Sequence, residues 1–117
     1  MQRARTADGR TVAQSVIDAV GAHNRGSAGL GSFGVVIGAT IGEPVADLSA
    51  FGGPCLVPGI GAQGGTPADV RRIFGSELAA VLPSVSREVL AQGPTVSALR
   101  TAARRSVEQF AFLRSGG

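Results

Sequence analysis

Hydrophobic positions along this chain change period several times, and each change marks an element. From Thr11 to Ala22, apolar residues recur as Val12, Val16, Ile17 and Val20, the spacing of one helix face. Thr11 or Asp8 is placed to cap that helix, and Gly21 and Asn24 mark its end. A glycine-rich loop follows, from Arg25 to Ser32. Phe33 to Ala39 (FGVVIGA) is then a nearly unbroken apolar run, the pattern of a strand buried on both faces in a parallel sheet. Pro44 to Ala50 predicts a short helix. Pro54 to Ile60 (PCLVPGI) predicts a second buried strand ending in a Pro-Gly turn.

A second glycine-rich stretch, Gly61-Ala62-Gln63-Gly64-Gly65, leads into Thr66-Pro67-Ala68-Asp69. Thr at the N-cap, Pro at the first helical position and Asp two residues further start a helix that runs to Phe74 and stops at Gly75. Leu78 to Val85 is a third strand candidate, weakened by Pro83, which has no N–H to donate to a ladder. Ser86-Arg87-Glu88 opens another helical stretch, broken by Gly93-Pro94. Thr95 to Leu113 predicts the longest helix, with Val96, Leu99, Ala103, Val107 and Phe110 on one stripe. Strands alternating with helices predict an α/β fold with about three parallel strands. Three strands cannot close a barrel by themselves, so two strand edges and their apolar faces are left without neighbours, which predicts poor solubility or self-association.

Length and composition narrow this further. The 117 residues suit a single domain or part of one; residues 1–117 read as one unit, with 114–117 a tail. The 18 glycines are roughly twice ordinary usage and show no collagen period. No apolar run reaches the ~20 residues of a membrane span. The arginine-bearing first ten residues lack the apolar core of a secretory signal and read as a loop with an Asp8-Gly9 turn. All 11 basic residues are arginine. Without lysine the chain cannot supply a Schiff base or a phosphate-loop lysine. Its pI of about 11.0 reflects the scarcity of groups titrating above neutrality; the net charge is only +3.

Candidate chemistry lies after the second and third strands. The loop from Pro58 to Gly65 directly precedes a helix N-terminus, where glycines admit a close ligand and free N–H groups favour an anion. Ser86-Arg87 follows the next strand, and arginine is a permanently charged, bidentate partner for phosphate. Barrels of the (β/α)₈ type commonly build a phosphate site from the loops after their last two strands. His23 at a helix end reads as solvated or as a dipole partner. Cys55 reads as a buried small hydrophobe, and no His or Cys pair has metal-ligand spacing.

The stretches VVIGAT (Val35–Thr40), LVPGIGAQGG (Leu56–Gly65) and SREVL (Ser86–Leu90), with ADGRTVAQSVIDAVGA (Ala7–Ala22) before them, resemble the C-terminal half of orotidine 5′-phosphate decarboxylase in its longer bacterial form. The resemblance implies the C-terminal part of a (β/α)₈ barrel of ~250 residues. It also implies decarboxylation of orotidine 5′-phosphate to UMP in pyrimidine biosynthesis, without metal or organic cofactor. It places Gln63 and Gly64 at the nucleotide phosphate, Arg87 gripping that phosphate, and Pro58 near the pyrimidine ring. It further implies a cytoplasmic, homodimeric intact enzyme with no nucleic-acid or membrane partner. The family's catalytic Asp-x-Lys-x-x-Asp motif has no counterpart here, so no catalytic residue is assigned and the isolated chain is expected to be inactive. A non-catalytic nucleotide-binding half-barrel, or one subunit of a split enzyme, is the alternative; RNA binding fits less well, because stacking aromatics are few.

Overall fold

The computed structural model describes residues 4–39 and 46–115. Helix α1 (Val12–Ala22) begins at Thr11, whose hydroxyl accepts the Gln14 N–H at 3.0 Å. Three short strands follow in the chain: β1 (Val35–Val36), β2 (Cys55–Val57) and β3 (Val81–Pro83). They form one parallel sheet in the order β1-β2-β3, with Val36 beside Leu56 and Leu56 beside Leu82. Between β2 and β3 runs α2 (Pro67–Phe74), then a 3₁₀ turn at Leu78–Ala80. After β3 come α3 (Arg87–Leu90), α4 (Val96–Gln109) and α5 (Phe112–Ser115). Strand–helix–strand order and parallel pairing give the α/β architecture that the hydrophobic pattern predicts, and it fits the part of a (β/α)₈ barrel that the resemblance implies.

The regular strands are shorter than the apolar runs, yet the pairing spans them. Alternate N–H groups of Val35, Ile37 and Ala39 donate to the carbonyls of Pro54, Leu56 and Pro58 at 3.1, 2.9 and 2.8 Å. Pro83 is tolerated because β3 is an edge strand and Pro83 is its last residue. The next residue, Ser84, resumes donation, to Val57 O at 2.9 Å. Of the predicted helix over 44–50, residues 46–50 form bends and turns, and residues 44 and 45 lie outside the described residues.

The core forms on one face of the sheet. Cys55, Val57 and Val81 point into it and meet Val70, Ile73 and Phe74 from α2, with Ala39, Ile60 and Phe110 closing its rim. Strand side chains alternate, so the residues between them point the other way. Val36, Leu56 and Leu82 are 65%, 44% and 55% exposed in one row across the sheet. The expectation of burial on both faces therefore fails in this chain: parallel sheets are normally covered on both sides, and nothing among the described residues covers this one.

The predicted long C-terminal helix also divides. The chain turns at Phe110, which is buried, and restarts at Phe112. The turn lets Phe112 and Leu113 pack against the core. Phe112 lies against Phe110 at 6.1 Å between ring centroids, and the Arg71 guanidinium sits 3.9 Å above its ring. Elsewhere on the α4 stripe, Leu99 is half-buried beside Gly93, and Val96 and Val107 are exposed.

At the other end of the sheet, one buried polar side chain organises the loops. Asn24 donates to Phe33 O at 2.9 Å and to Phe51 O at 3.2 Å, and accepts the Phe33 N–H at 3.1 Å. It ties the end of α1 to the segments that lead into β1 and β2. Gly31 and Gly53 crowd so closely against it that neither has room for a side chain.

Candidate functional site

The site is built at the carboxyl end of the sheet, where β2 and β3 run out into loops. Pro58, half-buried, continues from β2, and its carbonyl is fixed by the Ala39 N–H. The chain then folds back on itself. The Gly64 N–H donates to Gly61 O at 2.7 Å, the Gly61 N–H to Gly65 O at 2.9 Å, and the Gly65 N–H to Gly59 O at 2.9 Å. Gly61 and Gly64 have φ of +73° and +93°, conformations that disfavour any side chain. Gly65 is buried, and a Cβ there would lie 2.5 Å from Gly59 O. The loop is thus a rigid double turn. Gln63 and Gly64 form its exposed tip, and the N–H groups of Ala62 and Gln63 have no acceptor among the described residues.

The helix start behind this loop differs from the sequence expectation. Thr66 and Asp69 form a capping box: the Asp69 N–H donates to the Thr66 hydroxyl at 3.2 Å, and Asp69 accepts the Thr66 N–H at 2.9 Å. Hydrogen bonds from Thr66, and then Arg72, hold the Asp69 carboxyl below the usual carboxylate range. The N-terminus of α2 therefore already carries its own anion. A ligand phosphate would have to be met by the loop tip, not by the helix end.

The second loop supplies the cation. Arg87 opens α3 and is exposed. Arg10 pairs with Asp8 and Asp18, Arg72 with Asp69, and Arg71 covers Phe112. Arg87 has no partner among the described residues. Its neighbour Glu88 explains why the two loops lie together. The Glu88 side chain occupies the space over Gly61: a Cβ there would collide with its carboxylate oxygen, with Glu88 Cδ at 2.5 Å and Cβ at 3.0 Å. The bare Gly61 backbone is the seat on which α3 rests against the glycine loop. The structure thus brings the loop bearing Pro58, Gln63 and Gly64 against the helix that begins at Arg87.

Sequence reasoning singled out these four residues and missed Glu88, because nothing in SREVL tells which backbone its side chain meets. It read Asn24 only as a helix-end signal and missed its burial. Cys55 is buried, and burial pushes its thiol up to about 11. His23 lies against the Phe33 ring at 4.9 Å. Among the described residues, no group of three or more His, Cys, Asp or Glu side chains is placed to hold a metal ion, and no helix is long and apolar enough to cross a membrane.

Comparison with known proteins places this arrangement. No protein-family profile matches the chain. It is 63% identical over 105 residues to the orotidine 5′-phosphate decarboxylase of Salinispora arenicola, 62% to that of Salinispora tropica and 51% to that of Streptomyces coelicolor. In each case the match covers 90% of this chain and 38% of the relative, so the chain spans about two fifths of their length. It also superimposes on a solved structure, a Streptomyces avermitilis protein assigned as an orotidine 5′-phosphate decarboxylase. The TM-score is 0.79 at 48% identity, over 94% of this chain and 39% of that one.

Proposed function

We propose that this chain carries the phosphate-binding end of an orotidine 5′-phosphate decarboxylase barrel, a carboxy-lyase that converts orotidine 5′-phosphate to UMP and CO₂. The observation that carries the reading is the seating of Glu88 on Gly61, which puts the start of α3, where Arg87 stands exposed, next to the glycine loop. In this reading the Arg87 guanidinium takes two phosphate oxygens, Gln63 and the loop-tip N–H groups donate to the same group, and Pro58 borders the pyrimidine ring. The similarity to named decarboxylases supports the substrate class.

The mechanistic role follows from what these residues can and cannot do. Phosphate contacts far from the reacting carbon lower the barrier only by anchoring the substrate so that its binding energy is expressed at the ring. The chain has no lysine, so a cationic side chain that delivers a proton to the ring carbon would come from elsewhere in a complete barrel. Residues 1–117 form one unit of that barrel, and the chain alone binds nucleotide without decarboxylating it. The homodimer and the cytoplasmic setting belong to the same reading of the intact enzyme.

The test is calorimetric titration with UMP. Saturable binding is expected, lost in Arg87→Ala and partly kept in Arg87→Lys, which keeps the charge but not the bidentate geometry. Binding that Arg87→Ala leaves intact, or that any polyanion reproduces with a steep salt slope, would show scattered arginine electrostatics instead of a built site.

A further inference from the structure

The Glu88 carboxylate lies over the bare backbone of Gly61, two residues before Gln63 in the glycine loop, and follows Arg87 directly in α3. The side chain is exposed, and its carboxylate has no hydrogen-bond or ion-pair partner among the described residues. Arg87 does not pair with it, because consecutive positions on a helix point about 100° apart. The other carboxylate at this loop, Asp69, already accepts from the Thr66 N–H and hydroxyl and from Arg72. Glu88 therefore holds an uncompensated negative charge beside the loop whose free N–H groups, with Arg87, suit an anion. Resting on Gly61 requires only a side chain of this shape, and glutamine has that shape without the charge. The charge itself acts on whatever anion the loop binds.

Resting on the phosphate-site reading above, we propose that Glu88 is a specificity-determining residue. Its carboxylate is a charge filter that weakens binding at the Gln63–Gly64 loop in proportion to the negative charge of the ligand. The ligand class it favours is a nucleoside monophosphate over the corresponding diphosphate. For charges about 6 Å apart in water at about 0.1 M salt, repulsion lowers affinity about twofold for each negative charge on the ligand. A monophosphate with about two charges loses about fourfold, and a diphosphate with about three loses about eightfold. A grip weakened to this extent still holds the phosphate through Arg87 and the loop, and it eases release of a product that carries the same phosphate as its substrate.

The experiment titrates the full chain, as wild type and as Glu88→Gln, with UMP and with UDP. Glu88→Gln should bind UMP about fourfold and UDP about eightfold more tightly at about 0.1 M salt, and both gains should shrink toward nothing at about 1 M salt, where the screening length is about 3 Å. A purely structural role predicts the opposite sign or no change, since the substitution can only loosen the seat on Gly61. Glu77→Gln removes the same charge before β3, at the other end of the sheet from the site, and should leave both affinities within about twofold at that salt. Far-UV circular dichroism checks that each variant keeps the wild-type fold. UMP binding that Glu88→Gln weakens or leaves unchanged, an unaltered ratio of UMP to UDP affinity, or an equal gain from Glu77→Gln would overturn the filter. Inorganic phosphate, followed at the Gln63 and Gly64 amides, separates the filter from the reading it rests on. Phosphate binding strengthened by Glu88→Gln, with UMP bound no better than phosphate, keeps the filter and refutes a nucleotide site. UMP binding at the loop that ignores Glu88→Gln does the reverse, and no anion binding by any form overturns both.

Discussion

Replacing Gly61 by alanine tests the geometry of the site, because two separable costs meet there. The first is conformational: φ of +73° costs a residue with a Cβ about 1–2 kcal/mol. The second is steric, since the new methyl would displace the Glu88 carboxylate. The far end of Glu88 can swing away, at about 0.5–1.5 kcal/mol for leaving its preferred rotamer. Gly61→Ala should therefore destabilise the chain by about 2–3 kcal/mol. With an unfolding slope of about 1–2 kcal/mol per molar urea, the midpoint falls by about 1–3 M. Circular dichroism is the suitable probe, as the chain has neither Trp nor Tyr. Two comparisons isolate the contact. In a Glu88→Ala background Gly61→Ala should lose the clash with the carboxylate but keep the 3.0 Å approach to the Cβ at position 88, so its cost should fall by about 0.5–1.5 kcal/mol, a coupling measured by the double-mutant cycle. Gly64→Ala, at φ of +93° with open space around the missing side chain, should show the conformational cost only and no coupling to Glu88. Equal costs for Gly61→Ala with and without Glu88 would refute the seating of α3 on the glycine loop.

Other substitutions probe the scaffold. Asn24→Ala removes three hydrogen bonds at a buried position and strands the Phe33 N–H and two carbonyls; a loss of about 2–4 kcal/mol is expected, with faster hydrogen exchange at the Phe33 amide as the local signature. Thr66→Ala should cost about 1 kcal/mol through the lost cap, read as a lower urea midpoint. Acid titration should also erode stability. The Thr6 hydroxyl, and then Arg10, hold the Asp8 carboxyl down to about 2, and hydrogen bonds hold Asp47 and Asp69 below their ordinary value. Depressed folded pKa values give a contribution that is complete above the unfolded value near 4 and disappears as pH falls toward 2. Asp69→Asn should flatten that acid limb, and a stability independent of pH between 5 and 2 would count against it. Cys55, buried and pushed up to about 11, should react with a thiol reagent at pH 7.5 only after unfolding; rapid labelling of the native chain would contradict its burial.

The elements were legible where local chemistry sets them. Thr66, Pro67 and Asp69 specify the start of α2, and the apolar runs around Val35, Leu56 and Leu82 locate all three strands. Other features depend on partners distant in sequence. The break at Phe110 arises because Phe112 packs back on the core beside Arg71, a contact that helical periodicity cannot foresee. The bare face of the sheet was hidden for the same reason: a run such as CLV has the same composition whether Leu56 is covered or exposed. At the site, the order of loops pointed to the Pro58–Gly65 loop and to Arg87, and the family resemblance singled out Pro58, Gln63 and Gly64 within that loop, while the α2 start looked like an open anion site until Asp69 was seen to occupy it. The contact that joins the loops, Glu88 on Gly61, required coordinates.

The most direct measurement is a single nuclear magnetic resonance titration of the full chain with orotidine 5′-phosphate. Amide and guanidinium signals report binding, and the H5 proton of UMP reports chemistry. Saturable shifts confined to Gln63, Gly64 and Arg87 and their neighbours, with no H5 signal appearing, are the predicted result. Shifts spread over the arginines of α4 with the glycine loop unmoved, or UMP formed by the chain alone, would contradict the assignment of a phosphate grip without catalytic groups.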